Sequence, residues 1–196
     1  MRIILIHGFN ANPQMNFHPW LRDELHQAGF EVLAPDLPFS GEPELFEWLK
    51  AMEDQIGRID ADDIILGHSL GAVMALRYLE AAEMSATPRA LILVAAPWTH
   101  KRAEMKSFFM SDFDADVLMW KAKDFIIVHS KDDKLVPFDH AEKYRDILKG
   151  KLLARDNEDH YMGEQYPVLL ELIKKLAEKD YQLNPGEGLE NDFGEE

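Results

Sequence analysis

Along the chain, short unbroken apolar runs alternate with longer stretches in which apolar residues return every third or fourth position. Runs of the first kind, rich in β-branched residues, are expected of parallel strands covered on both faces. Six qualify, at 2–6 (R-I-I-L-I), 31–34, 63–66, 90–95 (A-L-I-L-V-A), 124–129 (D-F-I-I-V-H) and 151–154. The second kind predicts amphipathic helices. One spans 17–28, with Phe17, Trp20, Leu21 and Leu25 on one stripe and Gly29 as its stop; another spans 43–59, carried by Leu45, Trp48, Leu49, Met52, Ile56 and Ile59. A third follows Ser69 through Leu79, and a fourth opens with Asp139 and Glu142 as a capping box and stops at Gly150. The last begins near Pro167 and buries Leu169, Leu172, Ile173 and Leu176. Residues 99–123 have no clean period and read as short helical pieces over the end of the sheet.

Strands alternating with helices imply an α/β fold with a doubly wound parallel sheet of about six strands and helices on both faces. At 196 residues, one domain over 1–182 suffices, followed by an acidic, poorly ordered tail over 183–196. The net charge is −15, and five acids of the tail (Glu187, Glu190, Asp192, Glu195, Glu196) face no Lys or Arg in the last eleven residues. So acidic a surface repels phosphate backbones and anionic headgroups, which disfavours nucleic-acid or membrane partners. The absence of cysteine removes thiolate catalysis and cysteine-ligated zinc, and no metal or organic cofactor is implied. The first apolar residues run straight into His7-Gly8 with no signal-peptide core, so a cytoplasmic location is expected.

Ligands of such sheets bind beyond the carboxyl ends of the strands, where the strand order reverses. The unusual loops of this sequence, His7-Gly8-Phe9, Asp36, Ser69, Trp98, Asp133 and His160, all lie there. At 67–71 (Gly67-His68-Ser69-Leu70-Gly71) a strand breaks into a helix with a serine at the break and glycines two positions either side. A sharp turn of this kind lifts the hydroxyl clear of the sheet and aims the helix N-terminus at an acyl oxyanion. Ser69 is therefore the candidate nucleophile. A serine hydroxyl needs a histidine to take its proton and a carboxylate to hold that histidine. With acid and base following the serine in that order, His140 and His160 remain; His160, in the loop after the last strand, is preferred. The acid belongs in the turn after the fifth strand, where Asp132 and Asp133 both fit. The N–H groups of Leu70 and Phe9 are the candidate oxyanion donors, and His7 and His68 are expected to pack or orient loops.

Taken together, His7-Gly8-Phe9, Gly67-His68-Ser69-Leu70-Gly71, Asp133-Lys134-Leu135-Val136-Pro137 and His160 resemble an α/β-hydrolase. The short length and the wording Ser130-Lys131-Asp132-Asp133 are similar to the small serine hydrolases of the YdeN and retinoblastoma-binding protein nine type. That resemblance implies a minimal α/β-hydrolase without a large cap, and a triad of Ser69, Asp133 and His160 in which Asp133 matches the D-x-x-V-P aspartate. The family commonly places glycine before the histidine, where this chain has Asp159. Glu158 and Asp159 are expected to favour imidazolium and to move the activity optimum upward in pH. Without a cap, the substrate pocket must come from loops, with Trp98, Phe108, Phe109 and Phe113 as its candidate lining. The expected substrate is a small or medium acyl ester; the alternatives are an amidase or aminopeptidase on the same triad, or a protein-binding module that keeps the fold.

Overall fold

The structure is a computed structural model that describes residues 1–82 and 86–179. The tail expected at 183–196 lies outside the described residues. Strands β1 (Arg2–Ile6), β2 (Glu31–Leu33), β3 (Ile64–His68), β4 (Ala90–Val94), β5 (Asp124–Ser130) and β6 (Lys151–Arg155) form one parallel sheet in the order β2-β1-β3-β4-β5-β6. Helices α1 (His18–Gln27), α2 (Leu45–Ile56), α3 (Leu70–Ala81), α4 (Ala115–Leu118), α5 (Asp139–Leu148) and α6 (Pro167–Glu178) complete the fold.

The central strands read as unbroken apolar runs because successive residues feed two different cores. In β1, Ile4 and Ile6 face the core built on Trp48, Met52, Leu76 and Tyr144, from α2, α3 and α5. Ile3 and Leu5 face the other, built on Leu21, Leu25, Leu169 and Ile173 of α1 and α6. The same alternation holds in β5, with Phe125 and Ile127 on one side and Ile126 and Val128 on the other. The helices thus lie on both faces, and the order of strands reverses between β1 and β3, whose carboxyl ends flank one crevice. The edge strands differ: β2 is only three residues long, and β6 is half-buried along most of its length.

The pieces within 99–123 are a 3₁₀ segment, Ala103–Phe109, and α4; they pack against α3 and α5, with Met105, Phe108 and Leu118 buried in the α2–α3–α5 core. Two expectations at the ends of α5 are corrected. Asp139 does not cap α5; it is the first helical residue and its carboxylate bonds Lys143 Nζ at 2.8 Å. At the other end of α5 the left-handed residue is Lys149 (φ 51°). Gly150 is instead small because an added Cβ would stand 2.6 Å from Ile127 Cδ1 and 2.8 Å from the Phe125 carbonyl.

Candidate active site

Ser69 has φ 54° and ψ −123°, a conformation that L-residues seldom adopt. Its N–H donates to the Val94 carbonyl of the neighbouring strand at 2.8 Å, which fixes the turn against the sheet. The flanking glycines follow from contact. A Cβ on Gly67 would lie 2.5 Å from Ala72 Cα, and one on Gly71 would overlap the Ile6 and His7 carbonyl oxygens. Those atoms are backbone and cannot step aside.

The structure brings Ser69, Asp133 and His160 together. His160 Nε2 lies 3.0 Å from Ser69 Oγ, and His160 Nδ1 lies 2.8 Å from Asp133 Oδ2. With Nδ1–H donating to the carboxylate, Nε2 is left as the acceptor for the serine proton. The Asp133 side chain is fully buried. Burial alone would raise its pKa, but hydrogen bonds from His160 and from the N–H groups of Val136 and Leu135 outweigh it and hold the carboxyl below its ordinary value. His129 Nε2 stands 3.4 Å from the same carboxylate oxygen while donating to the Val136 carbonyl. Asp132, the other candidate acid, is exposed and accepts from Ser130 Oγ. His140 is occupied elsewhere, its Nδ1 accepting the Trp98 N–H at 3.0 Å.

The buried histidines orient the loops. His68 Nε2 donates to the His160 carbonyl at 2.9 Å, and burial holds its pKa well below the ordinary value, so it stays neutral. His7 uses both nitrogens, donating from Nδ1 to the Gly8 carbonyl and accepting the Leu37 N–H at Nε2. Gly8 presses on the turn so closely that an added Cβ would lie 3.0 Å from Ser69 Cβ and 3.5 Å from Leu70 N. Phe9 comes next in the chain, and Leu70 N–H, at the first position of α3, has no acceptor inside the helix.

Glu158 and Asp159 each meet a cation instead of the imidazole. Glu158 Oε1 is 3.7 Å from Arg155, and Asp159 accepts the Lys134 N–H at 3.2 Å with its other oxygen 3.6 Å from Lys134 Nζ. Asp159 has φ 48°, which accounts for glycine being suited to that position.

Of the four aromatics expected to line a pocket, Phe108 is corrected. It has no exposed surface and packs edge-on against Trp48 at 5.2 Å, so it belongs to the core. Trp98, Phe109 and Phe113 do line a surface cavity, which none of Ser69, Asp133 or His160 borders. Arg77, a residue outside the motifs of the sequence, shares that cavity. Its guanidinium donates to the Phe108, Ser111 and Asp112 carbonyls and to Glu80, and lies 4.2 Å from the Phe113 ring centroid. The signal was there: an arginine inside the otherwise apolar helix L-G-A-V-M-A-L-R-Y-L must find partners when buried.

A parallel six-stranded sheet with a strained serine at its switch point is the layout of an α/β-hydrolase. The model of the serine hydrolase family matches residues 3–165, and the chain belongs to that family and is an enzyme of the serine hydrolase class. It is similar to the Bacillus subtilis (strain 168) hydrolase YdeN, 23% identical over 185 residues that cover 91% of this chain and 97% of YdeN. The crystal structure of YdeN aligns with a TM-score of 0.85 over 91% of this chain and 99% of that one. The serine hydrolase RBBP9 of Rattus norvegicus is 27% identical over 82% of this chain and 86% of its own length. The Pyrococcus furiosus esterase PF2001 shares the fold at 15% identity, with a TM-score of 0.61 over 90% and 79% of the two chains. Among the described residues no helix is long and apolar enough to cross a membrane.

Proposed function

We propose that the chain is a carboxylesterase-like hydrolase of small or medium acyl esters, with Ser69 as nucleophile, His160 as general base and acid, and Asp133 as the residue that orients it. The observation that supports this reading is the chain of contacts from Ser69 Oγ to His160 Nε2 at 3.0 Å and from His160 Nδ1 to Asp133 at 2.8 Å. Ser69 Oγ attacks the ester carbonyl as its proton passes to His160 Nε2, and buried Asp133 stabilises the imidazolium. The tetrahedral oxyanion is held by the N–H groups of Phe9 and Leu70, each worth roughly 3 kcal/mol of barrier in comparable sites. Collapse expels the alcohol, protonated by His160, and water then cleaves the acyl-Ser69 ester by the same route.

A fluorophosphonate probe tests the assignment, since it reacts only with an activated serine. Ser69→Ala abolishes labelling and lowers ester turnover by roughly 10⁴-fold or more. Folded protein that takes no label overturns the reading and favours a binding module on a hydrolase fold.

A further inference from the structure

The chain carries a net charge of −15, yet residues 98–109 hold Lys101, Arg102 and Lys106 against a single acid, Glu104. These three cations are exposed. Six other arginines, Arg2, Arg22, Arg77, Arg89, Arg145 and Arg155, face carboxylates. Arg102 instead holds its guanidinium 5.4 Å from the centroid of the Phe9 ring. Phe9 follows Gly8, the residue pressed against Ser69, so this cation stands at the mouth of the crevice. Its backbone is set by a tight turn, in which the Arg102 N–H donates to His100 Nδ1 at 3.0 Å.

We infer that the crevice selects an acyl ester that carries a carboxylate, and that Arg102 is the cation that binds it. The inference rests on the hydrolase reading above and names its substrate class. A guanidinium laid on an aromatic face keeps its outer N–H groups free in the planar fork that a carboxylate fits. A single fork suits a monoanion, whereas the acidic remainder of the surface repels a more highly charged group. A short dicarboxylic hemiester places its scissile carbonyl at Ser69 and its carboxylate at Arg102, with Phe9 beneath the connecting carbons.

The test compares kcat/KM for an aryl hemiglutarate with that for the aryl valerate of equal chain length, and includes an ester with the uncharged valeryl group whose alcohol bears a phosphate. The enzyme favours the hemiglutarate by about tenfold at low salt, and the preference shrinks as sodium chloride is added. Arg102→Gln lowers the hemiglutarate-to-valerate ratio about tenfold, Arg102→Lys restores part of it, and Lys143→Gln, a surface charge change elsewhere, leaves the ratio alone. A ratio near one in the unaltered enzyme, a ratio indifferent to Arg102→Gln, or a preference for the phosphate-bearing ester overturns the inference. In each of those cases fluorophosphonate still labels Ser69. Loss of labelling together with no turnover of any ester overturns the hydrolase reading itself.

Discussion

The two ends of the Ser69–His160 hydrogen bond are held by different physics. Ser69 is fixed by hard contact: backbone atoms of Ala72, Ile6 and His7 close on Gly67 and Gly71, and one strained residue, φ 54°, is trapped between them. His160 stands between Asp159 (φ 48°) and Tyr161 (φ 56°), with Asn157 (φ 63°) two residues before Asp159. None of these left-handed positions is a glycine. Polar bonds reach it from three directions: His68 to the His160 carbonyl, Ser130 Oγ to the Glu158 N–H, and Asp159 to the Lys134 N–H. A wall of backbone tolerates no added atom, whereas a set of hydrogen bonds loses members one at a time and answers to protonation.

The sharpest way to break the steric half is Gly71→Ala. The new Cβ overlaps the Ile6 and His7 carbonyl oxygens at the end of β1, so the Ser69 turn and that segment have to part. The cost is about 3 kcal/mol or more, read as a lower urea midpoint, with fluorophosphonate labelling reduced at least as steeply. A midpoint unchanged from that of the parent chain would show that the turn is softer than its contacts imply.

The same division explains what could be read from the sequence. Gly67, Ser69 and Gly71 announce a steric requirement within five residues, and the apolar runs announce strands buried on both faces, so the sheet and the Ser69 turn are legible in residue order. The choice of carboxylate is narrower than that of histidine: Asp132 and Asp133 are neighbours in the same turn, the D-x-x-V-P match alone favours Asp133 in the sequence, and in the structure the bonds from Leu135, Val136 and His160 go to Asp133. The Phe108 expectation failed because 99–123 has no period. Nothing local says which aromatic turns toward Trp48 and which toward solvent. Arg77 announces a need for partners, but the Phe108, Ser111 and Asp112 carbonyls that meet it, like the Lys134 that faces Asp159, come from segments 25 to 35 residues away, which residue order does not encode.

A pH series probes the polar half. Burial, with the nearby charge of His7, lowers the His18 pKa from its ordinary value to about 4, and burial holds His68 well below that ordinary value. Both are neutral in the folded chain and bind protons once unfolded, so below the unfolded value of about 6.5 the unfolded state takes up more protons. Their contribution is complete above that pH and is lost as pH falls toward the folded values. For His18 the loss is on the order of 3 kcal/mol by pH 4. Asp133, whose folded pKa is also depressed, adds its own loss at still lower pH. Urea unfolding from pH 7 to pH 4 therefore shows a steep fall in stability, and His18→Phe flattens it. An equally steep fall in that variant would assign the proton uptake to other groups.

The smallest effect is the most discriminating between hard contact and adjustable bonding. Asp159→Gly removes left-handed strain of about 1 kcal/mol, but it also widens the unfolded ensemble by about 0.4–1 kcal/mol and gives up the bond from the Lys134 N–H. The ion pair with Lys134 Nζ, at 3.6 Å and exposed on both sides, adds little. These contributions nearly cancel, so stability stays within about 1 kcal/mol of the parent and ester turnover within about threefold. The His68 bond to the His160 carbonyl, untouched by the substitution, keeps the imidazole aimed at Ser69. A tenfold loss of kcat with an unchanged urea midpoint would mean that the Asp159 carboxylate, and not the backbone bond from His68, holds the histidine in register. The loop would then be as unforgiving as the turn it faces.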